Sequence, residues 1–210
     1  VYSTAAKERF KSVDLVLSAG DLPMEYLGFI ASTLNKPVIF VFGNHNLKQL
    51  NRFKGKLEGP AVYENSNLSS LNFFGATYVG GRIIKINGLI IAGFGGSRHY
   101  SGGANQFTER QMYFKIIRML PRLLLNKLFH GRYLDILLTH AAPYGVGDKP
   151  DRCHRGFRAF LWIMEKLKPK FLIHGHIHLY DMNAKRETQY YKTRVINVYD
   201  HYILEYEAKK

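Results

Sequence analysis

The chain holds a single cysteine, Cys153, among its 210 residues. An intrachain disulfide is thereby excluded, as is any zinc site built on paired thiolates. Long apolar runs are missing too. None approaches the roughly 20 residues that a bilayer-spanning helix requires, so no membrane partner is expected. The opening residues Val1-Tyr2-Ser3-Thr4-Ala5 have neither the layout of a secretory signal nor that of an amphipathic presequence, which makes the cytoplasm the expected compartment. Internal repeats and low-complexity linkers are absent. With 46% hydrophobic and 22% charged residues, the composition is that of a globular protein with one sizeable core, read as a single domain over 1–210.

Acidic residues are scarce: 16 Asp and Glu face 30 Lys and Arg, a formal net charge of +14. Two readings compete. A basic face would hold nucleic acid through its phosphates, whereas dispersed charge would attract any anionic substrate, a nucleotide among them. The basic residues are scattered, with short pairs such as Lys185-Arg186 and Lys209-Lys210, and no nucleic-acid motif accompanies them. The dispersed reading is favoured.

Four short apolar runs read as buried strands: Val13–Ser18, Val38–Phe42, Leu134–Thr139 and Phe171–His174. A helix over Glu25–Leu34 links the first two, which predicts a parallel pair with a right-handed crossover. Arg82–Ile86 and Leu89–Gly93 flank Asn87-Gly88, a hairpin signal. Thr108-Glu109-Arg110-Gln111 fits a capping box that opens a long helix to about Phe129, with Pro121 expected to kink or divide it. A further helix spans Phe157–Leu167, with Phe157, Phe160, Leu161 and Met164 at core spacing and Trp162 off that face. Arg194–Tyr199 and Tyr202–Glu207 read as two antiparallel strands. The sum is an α/β fold whose sheets, mixed in direction, are flanked by helices.

The chemistry-bearing residues follow those strands. The first run ends in Gly20-Asp21, the second in Gly43-Asn44-His45-Asn46, the third in His140 and the fourth in His174-Gly175-His176-Ile177-His178. Open α/β sheets place ligands beyond the carboxyl ends of their strands. Carboxylate and amide oxygens are hard donors, and neutral imidazole suits borderline divalent metals, so this set suits manganese first, with iron or zinc as alternatives. Asp21 has two oxygens and can bridge a pair of ions. Taken singly, each piece is also explained as a turn or a strand-end histidine; the four together, in this order, are not.

Gly20-Asp21, Gly43-Asn44-His45, His140 and Gly175-His176-Ile177-His178 together resemble the calcineurin-like metallophosphoesterase superfamily, from about Val13 onward. The resemblance implies a four-layer sandwich, two mixed β-sheets flanked by helices. It implies two divalent metal ions, with Asp21 bridging them, Asn44, His140 and His176 completing one shell, and His178 serving the other. His45 would be the acid catalyst beside the phosphate, with Asn44 also touching substrate, and a metal-bound hydroxide would attack a phosphomonoester or phosphodiester. Two departures stand out. The family's first motif, Asp-x-His after an initial strand, does not occur and is expected before Val1; without it one ion keeps only Asp21 and His178. Asn46 stands where the family usually has an acid, so it would orient His45 while favouring its cation less.

In the loop Gly95–Gly103, Arg98 is a candidate for a bidentate contact to substrate phosphate, against the alternative of a solvated loop. His154-Arg155-Gly156 reads equally as cleft lining or helix start. His174 is either structural or a support for the ligands, and no role is assigned to His99, His130 or His201. The rival functions are a metallophosphoesterase-fold domain that binds protein without catalysis, and a basic nucleic-acid-binding protein.

Overall fold

The protein was studied as a computed structural model, which describes residues 3, 5–53, 62–63, 71–181 and 183–207. The chain runs from α1 (Ala5–Arg9) through β1 (Val16–Ser18), α2 (Met24–Leu34), β2 (Val38–Phe40), α3 (Leu50–Phe53), β3 (Val62–Tyr63), β4 (Asn72–Phe73) and β5 (Ala76–Tyr78). There follow β6 (Arg82–Ile86), β7 (Leu89–Phe94), β8 (Ser97–Arg98), β9 (Gln106–Phe107) and α4 (Glu109–His130). The last elements are β10 (Ile136–Thr139), α5 (Arg158–Lys166), β11 (Phe171–His174), β12 (Glu187–Tyr190) and β13 (Thr193–Asn197).

Successive side chains on a strand point to opposite faces, and both faces here are apolar. On β2 and the residues after it, Val38, Phe40 and Phe42 face α2 and α3, while Ile39 and Val41 face the other way. On β7, Ile90, Ala92 and Phe94 meet the α4–α5 side, and Ile91 joins Ile39 and Val41. β10, β11 and β13 repeat the division: Leu137, Leu172 and Val195 go outward, and Ile136, Leu138, Ile173 and Ile196 go inward. Burying both faces of two sheets requires four layers, helix–sheet–sheet–helix, and that is the arrangement found.

The two main sheets have the orders β1-β2-β5-β4 and β12-β13-β11-β10-β7-β6-β3, and β8 and β9 form a small parallel pair of their own. β1, β2 and β5 run parallel, as do β7, β10, β11 and β13. Their carboxyl ends therefore come to one edge of the sandwich. The β6–β7 hairpin turns on Asn87 and Gly88, both with positive φ (48° and 75°), as a two-residue turn of the expected kind demands.

Thr108 and Gln111 form the expected capping box, with Gln111 Oε1 accepting from Thr108 N at 2.8 Å and Thr108 Oγ1 accepting from Gln111 N at 3.3 Å. Pro121 does not divide α4. It sits on the exposed side, where solvent can take up the carbonyl it leaves unpaired. Phe157, Phe160 and Met164 are core as expected, while Leu161 and Trp162 are partly buried at its margin.

The C-terminal hairpin differs from the sequence expectation. β13 pairs antiparallel with β12, which precedes it, across the turn Tyr191-Lys192. Residues 202–207 form no strand. Their alternation arises because Tyr202, Leu204 and Tyr206 lie against the layer between the sheets, with the Tyr202 hydroxyl bonded to Glu187. A turn without Gly or Asn at Tyr191 (φ 49°) left no mark of the true partner. No helix among the described residues is long and apolar enough to cross a membrane.

Replacing Thr108 by Ala removes an N-cap acceptor, and urea titration should show a loss of about 1 kcal/mol in unfolding free energy.

Candidate metal centre

The edge where the parallel strands end carries two tight turns. Gly20 (φ 103°) and Asp21 (φ 62°) turn the chain after β1 so that the carboxylate points back across the edge. Gly43 lies directly beneath it. A Cβ on Gly43 would stand 2.0 Å from Asp21 Oδ1 and 2.6 Å from His140 Cε1, so no larger residue fits. His176 is likewise left-handed (φ 65°), a strained conformation for a histidine of the kind that gathers at functional sites.

Asp21, His140 and His176 each offer a donor atom, all within 4.8 Å of one another. Asn44 joins them: its Oδ1 is 3.0 Å from His140 Nε2, which is also 3.1 Å from His176 Nδ1 and 3.4 Å from Asp21 Oδ2. The positions of the protons decide what this cluster is. A carbonyl oxygen only accepts, so the 2.7 Å contact from His140 Nδ1 to Ala19 O places the proton on Nδ1 and leaves Nε2 bare. The 3.0 Å contact between His176 Nε2 and Cys153 O does the same in reverse, leaving Nδ1 bare. Asn44 Nδ2 donates to the Tyr100 hydroxyl at 3.1 Å, which turns its oxygen inward. Asp21 Oδ1 accepts from His45 N at 2.8 Å, and Oδ2 faces the cluster.

Four lone pairs thus converge while their protons point outward. Such a group repels itself unless a cation stands among the donors, and backbone carbonyls that fix imidazole tautomers are the usual support of metal-ligating histidines. Electrostatics agree. Burial pulls the His140 pKa down to about 4 and lowers that of His176, so both imidazoles are neutral near pH 7. The donor set of two imidazoles, a carboxylate and an amide oxygen suits a borderline divalent ion.

Residues 3–180 match the family description "calcineurin-like phosphoesterase". The chain belongs to the calcineurin-like phosphoesterases. No curated protein matches it. Among solved structures, TT1561 of Thermus thermophilus is similar at 12% identity and a TM-score of 0.56, over 93% of this chain and 80% of that one. A second is 18% identical with a TM-score of 0.51, over 84% of this chain and 63% of that one. At those identities the likeness concerns the fold, and it agrees with the four layers described above.

Other expected site residues of this calcineurin-like phosphoesterase lie around the cluster. His45 is exposed, close enough to His176 to repel its protonation. His178 is exposed and stands outside the cluster; its Nδ1 lies 3.0 Å from the Tyr180 hydroxyl, and its ring is 5.0 Å from that of Tyr199. Asn46 donates to Asp21 O at 2.6 Å, so its amide group braces Asp21. Arg98 is half-buried on β8, two residues before Tyr100. His154 lies nearer the cluster than its sequence context indicates, with its ring 5.2 Å from His176 and its Nδ1 held by Asp151 at 2.9 Å. His174 is buried at the end of β11, one residue before the turn that presents His176.

Three contributors escaped sequence reasoning: Tyr100, Cys153 and Asn105, whose Nδ2 donates to Gly43 O at 2.6 Å and to Phe42 O at 3.3 Å. Cys153 acts through its carbonyl, which no side chain announces. Asn105 lies just past the Gly-rich loop singled out in the sequence, and nothing there marked it.

Burial also holds the His174 pKa down to about 4. A folded-state pKa below the ordinary value of about 6.5 means that the unfolded chain takes up protons first. Stability is therefore complete above about pH 6.5 and falls as the pH drops toward 4. Urea unfolding in chelator should show this decline, and His174→Gln should make it shallower.

Proposed function

We propose that this chain is a metal-dependent phosphoesterase that hydrolyses a phosphomonoester or phosphodiester. The observation that carries the proposal is the convergence of four bare donors, Asp21 Oδ2, Asn44 Oδ1, His140 Nε2 and His176 Nδ1, with every proton directed away. Those four would hold one divalent ion, manganese first, with iron or zinc as alternatives. A second ion would rest on Asp21 and His178, whose Nδ1 is held by the Tyr180 hydroxyl. When bound, such ions polarise a phosphoryl group and acidify water.

The protein's own residues supply the rest. Asp21 is held at both ends, its Oδ1 by His45 N and its backbone carbonyl by Asn46, so its inward oxygen keeps a fixed position. The same bond to Oδ1 anchors the backbone of His45 and leaves its imidazole at the solvent side. In that place His45 delivers a proton to the leaving oxygen of the ester. Asn44 is steadied by Tyr100 and borders the phosphate position. Arg98, near the same loop, supplies a guanidinium fork for phosphate oxygens. The excess of basic residues makes a nucleotide or another polyanion a fitting substrate.

The test is turnover of an aryl phosphodiester and an aryl phosphomonoester by manganese-loaded full chain, with ion binding followed by calorimetry. Asp21→Asn and His176→Ala should each lower turnover by about 100-fold or more and weaken ion binding in parallel. His45→Ala should reduce kcat by about 100-fold or more while leaving ion binding intact. Ion binding without turnover, unchanged by Asp21→Asn, would instead favour a protein-binding domain on the same fold. Tight, salt-sensitive nucleic-acid binding that survives loss of His176 and His178 would favour the third reading.

A further inference from the structure

The fold does not account for the outer surface of α4. Its inward seam, Met112, Ile116, Met119, Leu123 and Asn126, is buried and follows the spacing of a core-facing helix. Such a seam should leave the opposite face polar. Here Phe114, Ile117, Pro121, Leu124, Leu125 and Leu128 occupy that opposite face with the same periodicity, all exposed to solvent. Proline aside, exposure along the row runs from 41% at Leu125 to 75% at Leu128, and Phe129 continues the patch at the helix end. A contiguous apolar row of this size on a protein surface marks something it meets.

Charge selects the occupant. α4 carries Arg110, Lys115, Arg118, Arg122 and Lys127 against a single acid, Glu109. Glu109 is spent inward, its Oε1 accepting from Ala159 N at 2.7 Å. The Arg118 guanidinium lies 5.8 Å over the Phe114 ring, so cation and apolar surface share one face. A second copy docked here would set basic row against basic row, in a chain of net charge +14. The apolar row is also long, about 21 Å from Phe114 to Leu128 at roughly 1.5 Å per residue.

We infer that α4 is an interfacial helix that lies on an anionic lipid bilayer, with the row from Phe114 to Leu128 in the boundary between headgroups and acyl chains and Arg110 and Arg118 on the lipid phosphates. Apolar burial combined with attraction of Lys and Arg to an anionic surface is the general basis of such association. The helix is not apolar enough to cross the bilayer. The helix begins shortly after Asn105, which bonds to the turn under the metal centre. The inference stands apart from the hydrolytic reading, because none of its residues belongs to that site.

Flotation of the full chain with vesicles tests it, using phosphatidylcholine alone and phosphatidylcholine mixed with phosphatidylglycerol. The bound fraction should be about tenfold higher on the mixed vesicles and fall with added salt. Leu124→Glu with Leu128→Glu should abolish binding, and Arg118→Glu should weaken it, with turnover of a soluble aryl phosphate unchanged. Should the leucine pair misfold, Leu128→Ser with Phe129→Ser at the last turn tests the same row. No binding to either vesicle, or no preference for the anionic one, overturns the inference. So does binding that survives loss of the leucines. A dimer in solution that the leucine variant converts to monomer would assign the row to a second copy and overturn it equally.

Discussion

The site depends on one hydrogen bond across the sandwich. His140 follows β10 in the larger sheet, and its Nδ1 donates to Ala19 O, just past β1 in the smaller one, at 2.7 Å. This bond joins the two layers at their common edge. It also fixes the tautomer that leaves Nε2 open to Asn44, Asp21 and His176. Buried as it is, His140 has no water to fall back on, so an unpaired ring nitrogen there would be costly. The apolar layer between the sheets sets their separation, and that separation sets the reach of this bond. Packing and chemistry are thus coupled at one atom pair.

Much of this was legible in the sequence because period and placement are local signals. The parallel strands, the Asn87-Gly88 hairpin, the Thr108 capping box and the long helix after it were all read from neighbouring residues. Asp21, Asn44, His140, His176 and His178 are grouped in the sequence because each follows a buried apolar run; the structure brings the first four together and leaves His178 outside the cluster. What stayed hidden depends on distant or backbone partners. The pairing of β12 with β13 rests on a turn with no glycine or asparagine signal. The support of His176 by Cys153 is made by a carbonyl. Asn46, expected to orient His45, directs its amide to Asp21 instead, since its left-handed conformation (φ 54°) turns the side chain toward that carbonyl.

Basic charge looked like a single property of the chain, but the fold gives it different surroundings. Lys115 lies over the Phe107 ring at 3.6 Å, and burial lowers its pKa to about 8. Arg118, on the same helix, stays exposed. The helix is apolar on two opposite sides for two reasons: one side is cemented into the core and the other faces outward beside cations. A helix-period pattern read from sequence alone merges those sides into a merely hydrophobic segment.

The orientation of His140 and His176 by main-chain carbonyls has an evolutionary side. A supporting contact made by a side chain is lost when that residue mutates. One made by Ala19 O or Cys153 O persists through any replacement that preserves the local backbone path. The tautomers at this edge are therefore buffered against drift at the very positions that set them. Selection need only keep the turns in place; Ala19 stays small because it is packed between the sheets, while the half-buried Cys153 side chain has no part in the contact.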